Sequence, residues 1–172
     1  MRVNRPGNSR PRGFTLLEML VTLTIIAIVA TMVIPAFRDD SLLRVMAAAS
    51  VMSSDIEMAQ MMTIADPDRP VVVRFDPDDS RYWLARADDP DNPVAREDTD
   101  EPYLVVLGLD RAIAAAGVTF TVSGMNQSTL TFNEQGGLDD FTATPQITLA
   151  MDDETIIISV GATTGTITQT GG

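Results

Sequence analysis

Arg12-Gly13-Phe14-Thr15-Leu16-Leu17-Glu18-Met19-Leu20 joins a basic leader to a long apolar run and sets one carboxylate inside that run. From Phe14 to Phe37 there are 24 residues, and Glu18 is the only ionisable side chain among them. As a helix they would reach roughly 36 Å, against about 30 Å of hydrocarbon in a bilayer. A charge at mid-depth in such a segment costs about 2.5–3.5 kcal/mol, so it calls for a functional partner. The plain alternative for a glutamate near a helix end is snorkelling to the interface. A secretory signal peptide is a poorer reading, because it places its apolar region before the cut. Here the apolar run follows Gly13.

Charge is distributed unevenly around this segment. Arg2, Arg5, Arg10 and Arg12 lie in the first 13 residues with no acid among them, and Asp39 and Asp40 follow the run. The positive-inside rule then predicts a single-pass protein with a cytoplasmic N-terminus and everything after about Arg38 outside. The formal net charge is −12 and there is no lysine, so every basic side chain is an arginine.

Cysteine and histidine are both absent. An exported domain without cysteine holds together by packing alone. Without histidine the commonest general base and the commonest zinc ligand are missing, and no Ser-His-Asp or Cys-His arrangement can be built. Gly136-Gly137 reads as a turn and not as a phosphate loop. The chain reads as a substrate of enzymes rather than an enzyme, with no cofactor and no metal expected.

Beyond the apolar run, Leu42, Val45, Met46, Ala49, Met52, Ile56, Ala59 and Thr63 recur at spacings of three and four. This predicts an amphipathic continuation of the helix, with Arg44, Ser53, Ser54, Glu57 and Gln60 off the stripe. One helix from Phe14 to Met62 would result, with Pro35 as a kink and Pro67 beyond its end. From residue 70 the period changes to two. Val71–Phe75 and Arg81–Ala85 read as a hairpin, and Tyr103–Leu107 as a short strand. Asp110–Ala116 reads as a helical turn. Val118–Ser123 and Thr129–Phe132 bracket a turn at Gly124-Met125-Asn126. Gln146–Met151 and Thr155–Val160 form a second hairpin, and Gly165–Gln169 a last strand. The charged stretch Ala87–Pro102 reads as a mobile insertion. The fold class is α+β. Its divisions are a leader (1–13), a membrane or filament-core helix (14–37), an amphipathic continuation (38–65) and an exported β-rich domain (66–172).

The N-terminal pattern of basic leader, glycine, aromatic, Thr-Leu-x-Glu and apolar run resembles the class III signal peptide of type IV prepilins and type II secretion pseudopilins. The resemblance covers residues 10–37. It implies that a prepilin peptidase cuts between Gly13 and Phe14 and methylates the new amine of Phe14. It also implies that Glu18 is the assembly residue and Pro35 a bend. The order of strands around Thr131-Phe132-Asn133-Glu134-Gln135-Gly136 is similar to the GspH/FimT minor pseudopilin domain, over roughly residues 45–170. One departure is Thr166 after Gly165, where that subfamily often has arginine.

Three functional classes follow. One is a minor pseudopilin of a type II secretion pseudopilus, with other pseudopilins as partners. The second is a minor pilin of a type IV pilus, serving assembly initiation, adhesion or DNA uptake. The third is a nucleic-acid or calcium receptor on a membrane stalk. DNA binding requires a basic face, and Arg69, Arg74, Arg81, Arg86, Arg96 and Arg111 are interspersed with acids, so nucleic acid is disfavoured. The acidic runs Asp76–Asp79, Asp88–Asp91, Glu97–Glu101 and Asp152–Glu154 lack EF-hand spacing and read as solvated turns.

Overall fold

The computed structural model describes residues 14–33, 40–96 and 99–171. It divides the chain into two units, residues 1–39 and 40–172. The first holds helix α1 (Leu16–Val33). The second holds, among the described residues, helix α2 (Asp40–Ala65) and ten strands. The fold is therefore α+β, as the change of period at residue 70 predicts. Pro35 lies outside the described residues, as does the whole stretch 34–39 between the two helices.

Two antiparallel sheets form the β domain. The first contains β1 (Val71–Asp76), β2 (Arg81–Arg86), β3 (Asp89–Pro93), β4 (Leu104–Val106), β6 (Thr129–Phe132) and β7 (Leu138–Asp139), in the order β3-β2-β1-β6-β7 with β4 also on β2. The second runs β10-β9-β8-β5, from β5 (Thr119–Met125), β8 (Phe141–Met151), β9 (Glu154–Val160) and β10 (Ile167–Gly171). Both expected hairpins form, with Asp76 opposite Arg81 and Met151 opposite Glu154 at their turns. Val71, Val73 and Phe75 alternate inward on β1, as Ile147 and Leu149 do on β8 and Ile156, Ile158 and Val160 on β9. Between β4 and β5 the chain makes a 3-10 helix, Asp110–Ala115.

Two sequence expectations change here. Val118–Ser123 and Thr129–Phe132 do not flank a turn at Gly124, because β5 runs on through Gly124 to Met125. The turn lies at Gln127 and Ser128, both with positive φ (47° and 54°), and it carries the chain from the second sheet to the first. The described residues of the stretch 87–102, which are 87–96 and 99–102, are also not a loose insertion. Their β3 pairs with β2, and Ala95 bridges Pro102. Val94 donates its N–H to Leu84 at 2.8 Å, and Trp83 Nε1 donates to the Pro90 carbonyl at 2.9 Å. The outer edge of β2 carries backbone groups that need partners, and this segment supplies them.

Helix α2 packs on strands of both sheets and on the 3-10 helix. Its buried face comprises Val45, Ala48, Ala49, Met52, Ser53, Asp55, Ile56, Ala59 and Thr63. The expected stripe is thus mostly right, but Leu42 and Met46 are 41% and 51% exposed, and Ser53 lies inside. Small side chains at 48, 49, 53 and 59 let the helix approach the strands closely. Thr63 Oγ1 accepts the N–H of Val71 at 3.0 Å and so joins the last turn of α2 to the first residue of β1. Gln60 Nε2 donates to the carbonyls of Gly136 (2.7 Å) and Thr164 (3.1 Å), fastening a loop from each sheet to the helix. Gly165 has φ +64°, and a Cβ there would stand 2.1 Å from the Gly136 oxygen, so only glycine fits this clasp.

Asp55 is the feature that periodicity does not anticipate. It is 1% exposed, three residues after Met52 and four before Ala59, within the apolar face. Tyr82 donates its hydroxyl to Oδ2 at 2.6 Å, and Tyr103 donates to Oδ1 at 2.8 Å. Arg111 pairs with the same carboxylate and donates to the Tyr103 hydroxyl at 3.0 Å. A buried carboxylate is tolerable only when its lone pairs are filled, and here β2, the residue before β4 and the 3-10 helix fill them. Burial pushes the Tyr82 phenol well above its usual value of 10, and the Asp55 carboxylate adds to this. Burial also raises Tyr103, and Arg111 offsets part of that effect. For Arg111, burial acts to lower the pKa, but Tyr103 and Asp55 outweigh it and the guanidinium stays charged.

Tyr82 and Tyr103 are the only two tyrosines in the chain, so phenolate absorbance reads this cluster directly. Both should titrate above pH 10 in the folded protein, Tyr82 later than Tyr103. Unfolded phenols lose their protons near pH 10 while the folded ones keep theirs. Stability from the pair is therefore full below about pH 10 and falls as pH rises through the folded values. Two phenols titrating together near pH 10 under native conditions would contradict the geometry. Asp55→Ala leaves the Tyr82 hydroxyl and Arg111 without their acceptor, and should cost about 3 kcal/mol in a denaturant titration. This is the low end for a broken buried pair because Arg111 keeps some water.

Candidate functional site

The expected site residues are Gly13, Phe14, Glu18 and Pro35. Gly13 and Pro35 fall outside the described residues, whereas Phe14 and Glu18 fall within them. Phe14 precedes the helix and is 73% exposed. Thr15 caps it: its carbonyl accepts the first helical bond from Met19 N–H at 3.1 Å, and its Oγ1 accepts Glu18 N–H at 3.2 Å. With Thr15 as N-cap, Glu18 is the third helical residue, so Thr15-Leu16-Leu17-Glu18 has the T-x-x-E form of a capping box. A carboxylate there also meets the positive end of the helix dipole, worth about 0.3–1 kcal/mol. The local role of Glu18 was legible in the four-residue spacing, but the membrane reading of the run obscured it.

The rest of α1 offers a uniform surface. Apart from Glu18, its polar residues up to Ala30 are Thr22 and Thr24, and both turn their hydroxyls back onto their own helix. Thr22 Oγ1 bonds the carbonyls of Glu18 and Met19 at 2.9 Å each, and Thr24 Oγ1 that of Leu20 at 2.8 Å. Every side chain from Phe14 to Ala30 is exposed. From Leu20 to Ala30 the helix is apolar all round apart from Thr22 and Thr24, whose hydroxyls are satisfied within it, and such a surface is suited to an apolar environment or to packing among other helices. As an 18-residue helix α1 is about 27 Å long, a little under the hydrocarbon thickness. Among the described residues, no helix is long and apolar enough to cross a membrane. The expected span extends to Phe37, four residues beyond the end of α1.

Other places where chemistry could reside are occupied or bare. The Asp55 carboxylate is sealed and its oxygens are taken. In the acidic turn between β1 and β2, Arg81 pairs with Asp76 at 2.8 Å and Asp79 at 3.0 Å. The hydrogen bond to Asp76 foremost raises the Arg81 pKa. Among the described residues, no group of three or more acids is placed to hold a metal ion. A hollow of about 520 Å³ on the first sheet is floored by Val72, Thr129 and Thr131 and rimmed by Asn126, Gln127 and Asp140. Among its described lining residues the one ionisable group is Asp140, which is engaged by Asn126.

Residues 8–34 match the family model described as the prokaryotic N-terminal methylation motif. The match ends before the β domain and so supports the prepilin and pseudopilin family without reaching the GspH/FimT subfamily. Neither a curated protein nor a solved structure matches the chain. The N-terminal methylation motif, with an α+β domain following it in the chain, supports a type IV pilin- or pseudopilin-like protein.

Proposed function

We propose that this protein is a minor pseudopilin, a structural subunit of a type II secretion pseudopilus. In this reading a prepilin peptidase cuts it after Gly13 and methylates Phe14. It is held in the inner membrane with its N-terminus cytoplasmic until it joins other pseudopilins. The observation that carries the reading is the matched motif with Glu18 in the first turn of an apolar, exposed α1. The same architecture serves a minor pilin of a type IV pilus, and that is the second reading. The acidic balance of the chain speaks against DNA uptake as its task.

Glu18 acts between subunits. Cleavage creates an amine on Phe14, with a reference pKa near 7.7–8.0 and hence largely cationic at neutral pH. Within one chain the helix separates that amine from Glu18 by about one turn. A subunit displaced along the filament axis brings its Phe14 amine to the Glu18 carboxylate of its neighbour. Each charge then gains a partner that offsets part of a desolvation cost of several kcal/mol per ion. The pair sets register and recruitment more than net stability.

Mass spectrometry of the membrane-extracted protein should show a chain beginning at N-methylated Phe14. An intact Met1 in cells with active prepilin peptidase, or a cut near Ala30, would reject the assignment.

Glu18→Ala should still insert and still be cut, yet lose crosslinking to partner subunits by at least tenfold. Because Glu18 also sits in a capping box, Glu18→Gln separates the two roles: glutamine serves the cap but carries no charge. Loss of assembly in Glu18→Gln is the expected result. Wild-type assembly of Glu18→Gln would reduce Glu18 to a helix-capping residue.

A further inference from the structure

The two sheets treat their edges in opposite ways. In the first sheet, β3 is Asp89-Pro90-Asp91-Asn92-Pro93, β4 has three residues and β7 has two. Proline, charge and shortness are the usual means of keeping a sheet edge from pairing with another chain. In the second sheet the edges are β5, Thr119-Phe120-Thr121-Val122-Ser123-Gly124-Met125, and β10, Ile167-Thr168-Gln169-Thr170-Gly171. Neither carries a charged residue or a proline. Among the described residues, no backbone hydrogen bond of β5 reaches beyond β8, and none of β10 beyond β9.

The outer face of this sheet is also neutral. The register sets Ser123, Gln146, Ser159 and Thr168 in one row across all four strands, and Thr121, Thr148, Ile157 and Thr170 in the next. None of these eight is buried or charged, on a chain of formal net charge −12. Copies of so acidic a chain repel one another over most of their surface. Along the β5 and β10 edges they meet no like charge. Hydroxyls both donate and accept, so such rows are complementary to themselves.

We infer that the second sheet continues from copy to copy, with β10 of one molecule pairing with β5 of the next. The strand directions permit it. Every pair in the order β10-β9-β8-β5 is antiparallel, so β10 and β5 run in opposite directions. Simple repetition of a four-stranded antiparallel sheet therefore places β10 antiparallel to the next β5. The contact is head-to-tail and leaves a free edge at each end, so it extends without closing. Main-chain hydrogen bonds supply the attraction, and the rows ending at Thr168 and Thr170 run on into Ser123 and Thr121 of the neighbour. This inference goes beyond the proposed function, since it concerns the sheet alone and uses no residue of the N-terminal motif.

The absence of native cysteine makes the test direct. The full chain carrying Thr121→Cys and Thr170→Cys is oxidised mildly in membranes. Within one sheet these positions are three strand spacings apart, about 14 Å, too far for an internal disulfide. Across the inferred junction they become cross-strand neighbours, with Cβ atoms about 4.5–5.5 Å apart and within reach of a disulfide after small adjustment. A ladder of dimers, trimers and higher species is expected. Each single variant should stay monomeric, and Thr119→Asp added to the double variant should cut the ladder at least tenfold. A monomeric double variant overturns the inference, as does a ladder undiminished by Thr119→Asp. Dimers from Thr170→Cys alone also overturn it, because they would mean that two β10 edges meet. Loss of the ladder while Glu18-dependent crosslinks persist rejects edge pairing and leaves the proposed function standing.

Discussion

Everything in the β domain is arranged around one helix that must hold two sheets without a disulfide. α2 does this with a face of small side chains and four polar fasteners. Thr63 bonds the start of β1, and Asp55 gathers the hydroxyls of Tyr82 and Tyr103 with the Arg111 guanidinium. On the other sheet's side, Gln169 donates to the Ser53 hydroxyl at 2.9 Å, and Gln60 spans the loops at Gly136 and Thr164. Apolar burial supplies most of the free energy, but it is indifferent to register. These fasteners are directional, so they fix how far along the strands the helix lies.

The sequence was most informative where one periodicity ran without competition. Val71–Phe75 and Arg81–Ala85 are rich in β-branched and aromatic residues and flank a proline- and aspartate-rich turn, and their pairing follows. The second hairpin is equally plain. Legibility failed where a residue had two possible roles. Gly124 reads as a turn residue, yet it lies in a strand, with φ +76° at a register shift opposite β8. By its charge alone Asp55 would be a solvent position, and it is the residues that reach it, 27 to 56 positions away along the chain, that let it lie in the core. Asp89 to Pro93 has almost no strand propensity and pairs because the edge of β2 needs partners.

For the candidate site the balance is different. The family motif was readable residue by residue, because its chemistry is written in consecutive positions and needs no tertiary contact. What the structure adds is local. Glu18 occupies the third position of a capped helix, and Thr22 and Thr24 have turned their hydroxyls onto carbonyls of that helix. The roles proposed for α1 depend on molecules other than this chain, whereas the cap at Thr15 depends on the chain alone.

The bond from Trp83 to the Pro90 carbonyl has an optical consequence. Trp83 is the only tryptophan in the chain, and its indole nitrogen is tethered to the proline-rich strand that shields the edge of β2. Its emission therefore reports first on that strand's attachment and only second on the core. Fluorescence and far-ultraviolet dichroism should diverge if β3 lifts before the sheets separate, making this indole a built-in gauge of local opening.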